Sequence, residues 1–246
     1  MPLEEIINRQ GIIISAPASG AGKTTVTLGL INAFARKRSV QPFKSGPDYI
    51  DSKFQSVAAD CPSYNLDTWA MSSSDILNMI GMVGPSDICI AEGSMGLFDG
   101  VISKGAGGNG STADLASITN WPVILVVDCA KQAQSVAALI TGFNSFRHDI
   151  TIGGVILNNI SSNRHEELVV SEVSKTKVPI LGVIPRSNEL TIPERHLGLV
   201  QAEDLSDLEQ LIFKLGTLIE ENCDLEAIAC TARNSFPPIS TLQKIT

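Results

Sequence analysis

The sequence predicts an α/β fold: a mostly parallel β-sheet with helices on both faces. Three observations predict it. Short apolar runs alternate along the chain with longer helical patterns. The runs are apolar almost throughout rather than at every second residue, the mark of strands covered on both sides. The first run leads directly through a glycine-rich turn into an amphipathic stretch, the strand–loop–helix order of a parallel α/β unit.

In chain order, residues 12–16 (IIISA) form the first predicted strand and residues 24–37 the helix after it. Residues 40–44 are a second short run, closed by Gly46-Pro47, which forces a turn. A helix is predicted over 74–82, a third strand over 88–92 and a helix over 112–119. Then follow a strand at 123–128, a helix at 132–146, a strand at 154–157, a helix at 164–175, a strand at 180–184 and a helix at 204–221. The segment 105–110 has four glycines in six residues and reads as a flexible or closely approaching loop. From 232 to 246, with Pro237-Pro238, the pattern fades into a linker, so the expected division is one domain over 1–231 and a linker remnant after it.

The composition bounds the function. A chain of 246 residues with 43% hydrophobic and 18% charged residues is globular and suits one large domain. The formal charge of −8 argues against nucleic-acid binding but not against a local anion site. Five cysteines, Cys61, Cys89, Cys129, Cys223 and Cys230, form no CxxC pair, which disfavours a disulfide framework or a zinc site. Cys89 and Cys129 lie in apolar runs and read as core thiols. No apolar run has the length of a membrane span. A soluble protein of the reducing cytoplasm is the expectation.

The chemistry concentrates at the ends of the predicted strands, where parallel sheets bind ligands. In Ala16-Pro17-Ala18-Ser19-Gly20-Ala21-Gly22-Lys23-Thr24-Thr25 the glycines let backbone N–H groups converge, and the helix start adds positive charge. A polyphosphate is therefore expected at this loop. Lys23 would reach the β- and γ-phosphates and the Thr24 hydroxyl would ligate Mg²⁺. The strict pattern has glycine where Pro17 stands. Ala18 occupies the position at which partition and division-site ATPases carry a second lysine, which disfavours their mechanism.

Three acidic groups follow the next two strands: Asp48 and Asp51, three residues apart, and Glu92 at a strand end. Mg²⁺ takes hard oxygen ligands, so Thr24, Asp48 and Glu92, from three strand ends, are the expected metal ligands. Asp48 also reads as a turn residue and Asp51 as a helix cap, whereas a glutamate in a buried strand has no ready structural reason. Lys44 is placed to neutralise a carboxylate or a transferring phosphoryl group. Asp128 reads either as support for such a site or as a helix cap.

These segments together resemble a known family. The phosphate loop, QPFKSGPDYID at 41–51, NLDTW at 65–69, EGSMGLFDG at 92–100, GSTADLA at 110–116, GGVILN at 153–158 and PERHLGLV at 193–200 resemble the N-terminal synthetase domain of cobyrinic or hydrogenobyrinic acid a,c-diamide synthases. The resemblance runs from about residue 10 to about residue 230 and implies a P-loop NTPase fold of the dethiobiotin synthetase type. It implies amidation of the a and c carboxylates of a corrin macrocycle in cobalamin biosynthesis, through a carboxylate phosphorylated by ATP. It also implies roles: Ser19, Gly20, Ala21, Gly22, Lys23, Thr24 and Thr25 in holding the triphosphate of ATP, Asp51 and Asp99 in catalysis, Asn158 in reading the adenine, Lys44, Ser111 and Thr112 toward the substrate carboxylates. His196 is typical of the family, and a core or capping histidine is its plainer reading.

In the family a C-terminal glutaminase half supplies ammonia through a cysteine nucleophile. No cysteine here lies in a nucleophile-elbow setting, and only His148, His165 and His196 exist to pair with one. Glutaminase activity is therefore not expected of this polypeptide, which leaves a truncation, a separate glutaminase subunit or free ammonia as the source. A dethiobiotin-type carboxylase and a non-catalytic nucleotide-binding fragment are the alternative readings. Relatives of this fold commonly dimerise, and a homodimer stays open as an expectation.

Overall fold

The structure, a computed structural model, describes residues 9–187 and 204–233. The segment containing His196 and nearly all of the 232–246 stretch lie outside the described residues.

Among the described residues seven strands form one sheet in the order β3-β2-β4-β1-β5-β6-β7. They are β1 (Gly11–Ser15), β2 (Val40–Ser45), β3 (Tyr64–Leu66), β4 (Ile88–Glu92), β5 (Val123–Asp128), β6 (Ile152–Ile160) and β7 (Ile180–Pro185), and every pairing between them is parallel. The helices are α1 (Lys23–Ala35), α2 (Tyr49–Ala59), α3 (Ser73–Met82), α4 (Thr112–Thr119), α5 (Val136–Phe146), α6 (Asn163–Val173), α7 (Asp204–Asn222) and α8 (Leu225–Arg233).

The apolar runs divide between two cores because strand side chains alternate. Ile13 of β1 joins one core with Ile76 and Ile80 of α3, Leu115 of α4, Ile140 of α5 and Val169 of α6. Its neighbours Ile12 and Ile14 join the other, with Leu28 and Ile31 of α1, Leu215 and Ile219 of α7 and Ile228 of α8. All of these side chains are buried. At about 1.5–3 kcal/mol for each large apolar side chain, this two-sided burial is what makes the sheet a rigid platform.

The predicted elements are present with small shifts at their ends. Three elements exist that the sequence reading did not contain: α2, β3 and α8. Glu92 therefore closes the fourth strand rather than the third. Asn158 lies inside β6, which runs to Ile160, rather than after it. The fifth helix starts at Val136 rather than 132, since Gln132 and Val136 sit in turns that bond back to Cys129 and Ala133. Asp128 does not cap that helix, whose N-cap is Ser135; its Oδ1 accepts from Asn159 and from the Ala130 N–H, closing the turn after β5.

Candidate functional site

From the central strand β1 the chain runs out to β2 and the edge strand β3, returns to β4 between β2 and β1, and then crosses to β5; because all these strands are parallel, the ends of β1, β2 and β4 open on one side. The turn after β1 is the phosphate loop. Gly20 and Gly22 have φ of 79° and 93°, in the left-handed region that side chains avoid. Any Cβ on Gly22 would also lie 2.3 Å from the Asn158 amide nitrogen. The next residue, Lys23, begins α1. No side chain caps this helix and its first turn holds no acid, so its N–H groups and positive end face the loop. Ser19 and Gly20 are exposed, Ala21 is buried and Thr24 and Thr25 are partly buried.

Lys44 and Glu92 are direct register partners on the adjacent strands β2 and β4. Their side chains meet: Lys44 Nζ lies 3.1 Å from Glu92 Oε1 and 2.7 Å from Asp51 Oδ2. The Thr24 hydroxyl donates to Glu92 Oε1 at 2.7 Å. Gln55 of α2 donates its amide to Glu92 Oε2, also at 2.7 Å. Glu92 is 0% exposed, Lys44 4% and Asp51 5%. Thus the loop after β1, the ends of β2 and β4, and one face of α2 converge on a single buried carboxylate.

Charge holds this cluster together. Burial works against the Lys44 ammonium, but the carboxylates of Glu92 and Asp51 outweigh it and hold its pKa above the ordinary value. For Lys23 the balance falls the other way. Desolvation dominates and lowers its pKa, against the pull of Glu92, Asp51 and Asp99 and with the push of Lys44. The Lys23 ammonium therefore sits in a place that a phosphate anion would favour.

The remaining predicted residues divide. Asp48 is the N-cap of α2, its Oδ1 accepting from the Ile50 and Asp51 N–H groups. The cap is thus Asp48, not Asp51, which instead turns inward to Lys44. Asp99 is exposed, accepts from the Gly96 N–H at 2.9 Å and acts on Lys23 through its charge. Gly96 itself allows the loop to pass under Pro17, whose carbonyl lies 2.6 Å from where a Cβ would stand. Asn158 is buried and donates to the Ala21 carbonyl at 3.0 Å, bracing the phosphate loop from below.

Ser111 and Thr112, expected toward the substrate carboxylates, are both buried and hydrogen-bonded within the protein. Ser111 is 1% exposed and caps α4 by accepting from the Asp114 N–H. Thr112 is 0% exposed and clasps Ser94, accepting from its N–H at 3.0 Å and donating to its carbonyl at 3.1 Å. A buried hydroxyl needs a partner inside the protein, and these two have theirs. The glycine segment is of the closely approaching kind, since Ala106 and Gly107 donate to the Trp69 and Thr68 carbonyls at 2.8 and 2.9 Å.

The sequence reading missed Gln55. It is 0% exposed, and Ser63 donates to its Oε1 at 2.9 Å. The only signal was a glutamine on the inward face of a helix that had not been recognised as one.

The donor set suits Mg²⁺, the metal the resemblance implies. A hydroxyl and a carboxylate oxygen stand 2.7 Å apart beside the phosphate loop, and both are hard ligands. Among the described residues no three His, Cys, Asp or Glu gather into a metal cage. Phosphate oxygens and water would have to complete the shell, as is usual for this ion. Among the same residues no helix is long and apolar enough to cross a membrane.

Comparisons with known proteins place the chain in a family. The chain is 46% identical over 222 residues to a hydrogenobyrinate a,c-diamide synthase of Brucella anthropi, matching 89% of this chain and 50% of that protein. It is 45% identical over 224 residues to the enzyme of that name from Rhodobacter capsulatus, matching 91% of this chain and 52% of that protein. The chain thus spans about half the length of the curated relatives it matches. Among solved structures, the MinC:MinD cell division protein complex of Aquifex aeolicus superposes with a TM-score of 0.54, covering 91% of this chain and 94% of that one. At 17% identity this likeness shows the fold alone. The family model described as "CobQ/CobB/MinD/ParA nucleotide binding domain" matches residues 12–200, and this chain belongs to that family.

Proposed function

We propose that this chain is the synthetase domain of a cobyrinate or hydrogenobyrinate a,c-diamide synthase: it uses MgATP to convert the a and c carboxylates of a corrin to amides. The observation that carries the reading is the convergence of Thr24, Lys44 and, through Lys44, Asp51 on the buried Glu92 carboxylate at the phosphate loop, within reach of the Lys23 charge. The relatives' name supplies the substrate class.

A free carboxylate is a poor electrophile. In the proposed reaction its oxygen takes the γ-phosphoryl group of ATP and ADP leaves. Ammonia then attacks the carbonyl carbon, inorganic phosphate departs and the amide remains. The protein's part is positioning and charge. The backbone of residues 19–25 and the α1 N-terminus hold the triphosphate. Lys23 meets the transferring group, and Asp99, whose charge reaches Lys23, stands on the open side. Lys44, fixed between Asp51 and Glu92, sets the local charge where a carboxylate would approach. Thr24 and Glu92 would hold Mg²⁺, with Asp48, in the turn after the neighbouring strand β2, as the third ligand proposed. When bound, that ion would supply neutralisation of the phosphate oxygens.

Support for a large, partly apolar substrate comes from the same end of the sheet. Tyr49 follows β2, Trp69 follows β3, and Met95, Val101 and Ile102 follow β4, all with exposed side chains. A polyacid macrocycle would lay its apolar ring on such a rim and direct a carboxylate inward.

Four of the five thiols, all but the exposed Cys230, bear on the ammonia source. Burial pushes Cys89 up to about 11 and Cys129 and Cys223 up to about 12, and raises Cys61. A glutaminase nucleophile needs the opposite shift. The test is an ATP-consumption assay with cobyrinic or hydrogenobyrinic acid, read by mass spectrometry for one or two amides. Ammonium is expected to support turnover by this chain alone and glutamine is not. No ATP consumption with either corrin and ammonium would overturn the reading.

A further inference from the structure

We infer that Gln55 is a positioning residue for the metal–nucleotide site: it fixes the Glu92 carboxylate, and through it the Thr24 hydroxyl, in the arrangement that binds the divalent ion. The inference rests on the nucleotide reading above, and it concerns a buried residue that reaches the phosphate loop through Glu92.

Four side chains form one line of hydrogen bonds. Ser63 Oγ donates to Gln55 Oε1 at 2.9 Å, Gln55 Nε2 donates to Glu92 Oε2 at 2.7 Å, and Thr24 Oγ1 donates to Glu92 Oε1 at 2.7 Å. The direction of each bond is forced. An ionised carboxylate only accepts, so the glutamine must turn its NH₂ group to Glu92 and its carbonyl to Ser63. Ser63 is itself held, because its N–H donates to Ser56 Oγ at 2.8 Å. Thr24 for its part must spend its single proton on Glu92. The oxygen's lone pairs are then left for a cation on the other side.

Packing alone does not call for a glutamine here. Gln55 is 0% exposed on the face of α2 that meets the sheet. A methionine or leucine would fill that space without burying an amide, which costs unless every end is paired. Both ends of Gln55 are paired, one of them to a charge. Without the amide, Oε2 of a 0% exposed carboxylate loses the one donor it has among the described residues, while Oε1 keeps two, Thr24 and Lys44. The carboxylate is then free to rotate toward Lys44 and away from Thr24. The helix that carries Gln55 also carries Asp51, the other partner of Lys44. One face of α2 thus sets both the charge and the orientation of the site, as groups behind metal ligands commonly do.

The experiment titrates the purified chain with a fluorescent ATP analogue, in excess Mg²⁺ and in a chelator, and records its melting temperature. The wild type should bind more tightly with Mg²⁺. Gln55→Met should keep its affinity in chelator and lose the Mg²⁺-dependent gain by about ten- to a hundredfold. Ser63→Ala, which frees the amide to turn, should show the same selective loss to a smaller extent, and it decides the matter if Gln55→Met does not fold. An unchanged Mg²⁺ gain in the folded variants, or an equal fall with and without Mg²⁺, overturns the inference and leaves the nucleotide reading standing. A wild type that binds the analogue under neither condition removes that reading and takes this inference with it.

Discussion

Lys44 is 4% exposed and touches two carboxylates, Asp51 and Glu92, that are themselves buried. Replacing it by methionine keeps the stem and removes the charge. Two buried anions are then left without their cation, and breaking such a cluster costs about 3–5 kcal/mol. Urea unfolding of Lys44→Met should show a loss of that order. The pH dependence has a definite sign. Lys44 holds its proton more tightly folded than unfolded. Its stabilisation is complete below the ordinary lysine value of 10.5 and is lost as pH rises through the higher folded value. Melting curves of wild type and Lys44→Met should therefore stay apart up to about pH 10 and converge above it. Curves that converge near neutral pH would contradict the buried pairing. Residues of this kind were only half legible beforehand. That Lys44, Asp51 and Glu92 carry chemistry follows from charges placed at apolar strand ends. That Lys44 pairs with Asp51 at seven residues' distance needs a helical turn to bring Asp51 back over β2.

At the scale of elements, α2 is the informative case. It starts at Asp48, which accepts from the Ile50 and Asp51 N–H groups, and it delivers Asp51 and Gln55 from one face. Asp48→Ala should destabilise the protein by about 1 kcal/mol through the lost cap. Asp48→Asn keeps a capping oxygen but loses the charge, so its melting temperature should stay near wild type. Mg²⁺-dependent nucleotide binding by Asp48→Asn then separates the two roles: a selective loss assigns Asp48 to the metal, and no change leaves it a cap alone. The helix was not recognised because Pro47 and Gly46 announce a turn and the following YIDSKFQSVAA has few large apolar residues. Likewise β3 is only three residues long at the sheet edge, with Tyr64 exposed. Short edge strands leave little trace in hydrophobic pattern.

At the scale of the molecule, ligand binding couples to folding. A nucleotide bound only by the folded chain stabilises it by about 2.7 kcal/mol at a hundredfold excess over Kd. For a domain of this size that is a rise in melting temperature of roughly 5–10 °C. MgATP should produce such a rise in the wild type, and Lys23→Met and Thr24→Ala should abolish it. A full shift in both variants would place the nucleotide elsewhere.

Local chemistry in the chain was enough to announce a parallel α/β sheet, a phosphate loop and acidic groups at the strand ends. Apolar runs, glycines before Lys23 and charges after buried strands each impose their own local physics, whatever lies across the sheet. Tertiary structure alone decided who meets whom. The order β3-β2-β4-β1-β5-β6-β7 sets β2 beside β4, so Lys44 and Glu92, 48 positions apart in sequence, become register partners. The same packing buries Ser111 and Thr112 as braces and brings Gln55 to Glu92. Strand order is a global choice made by burying both faces of the sheet at once, and no local pattern encodes it.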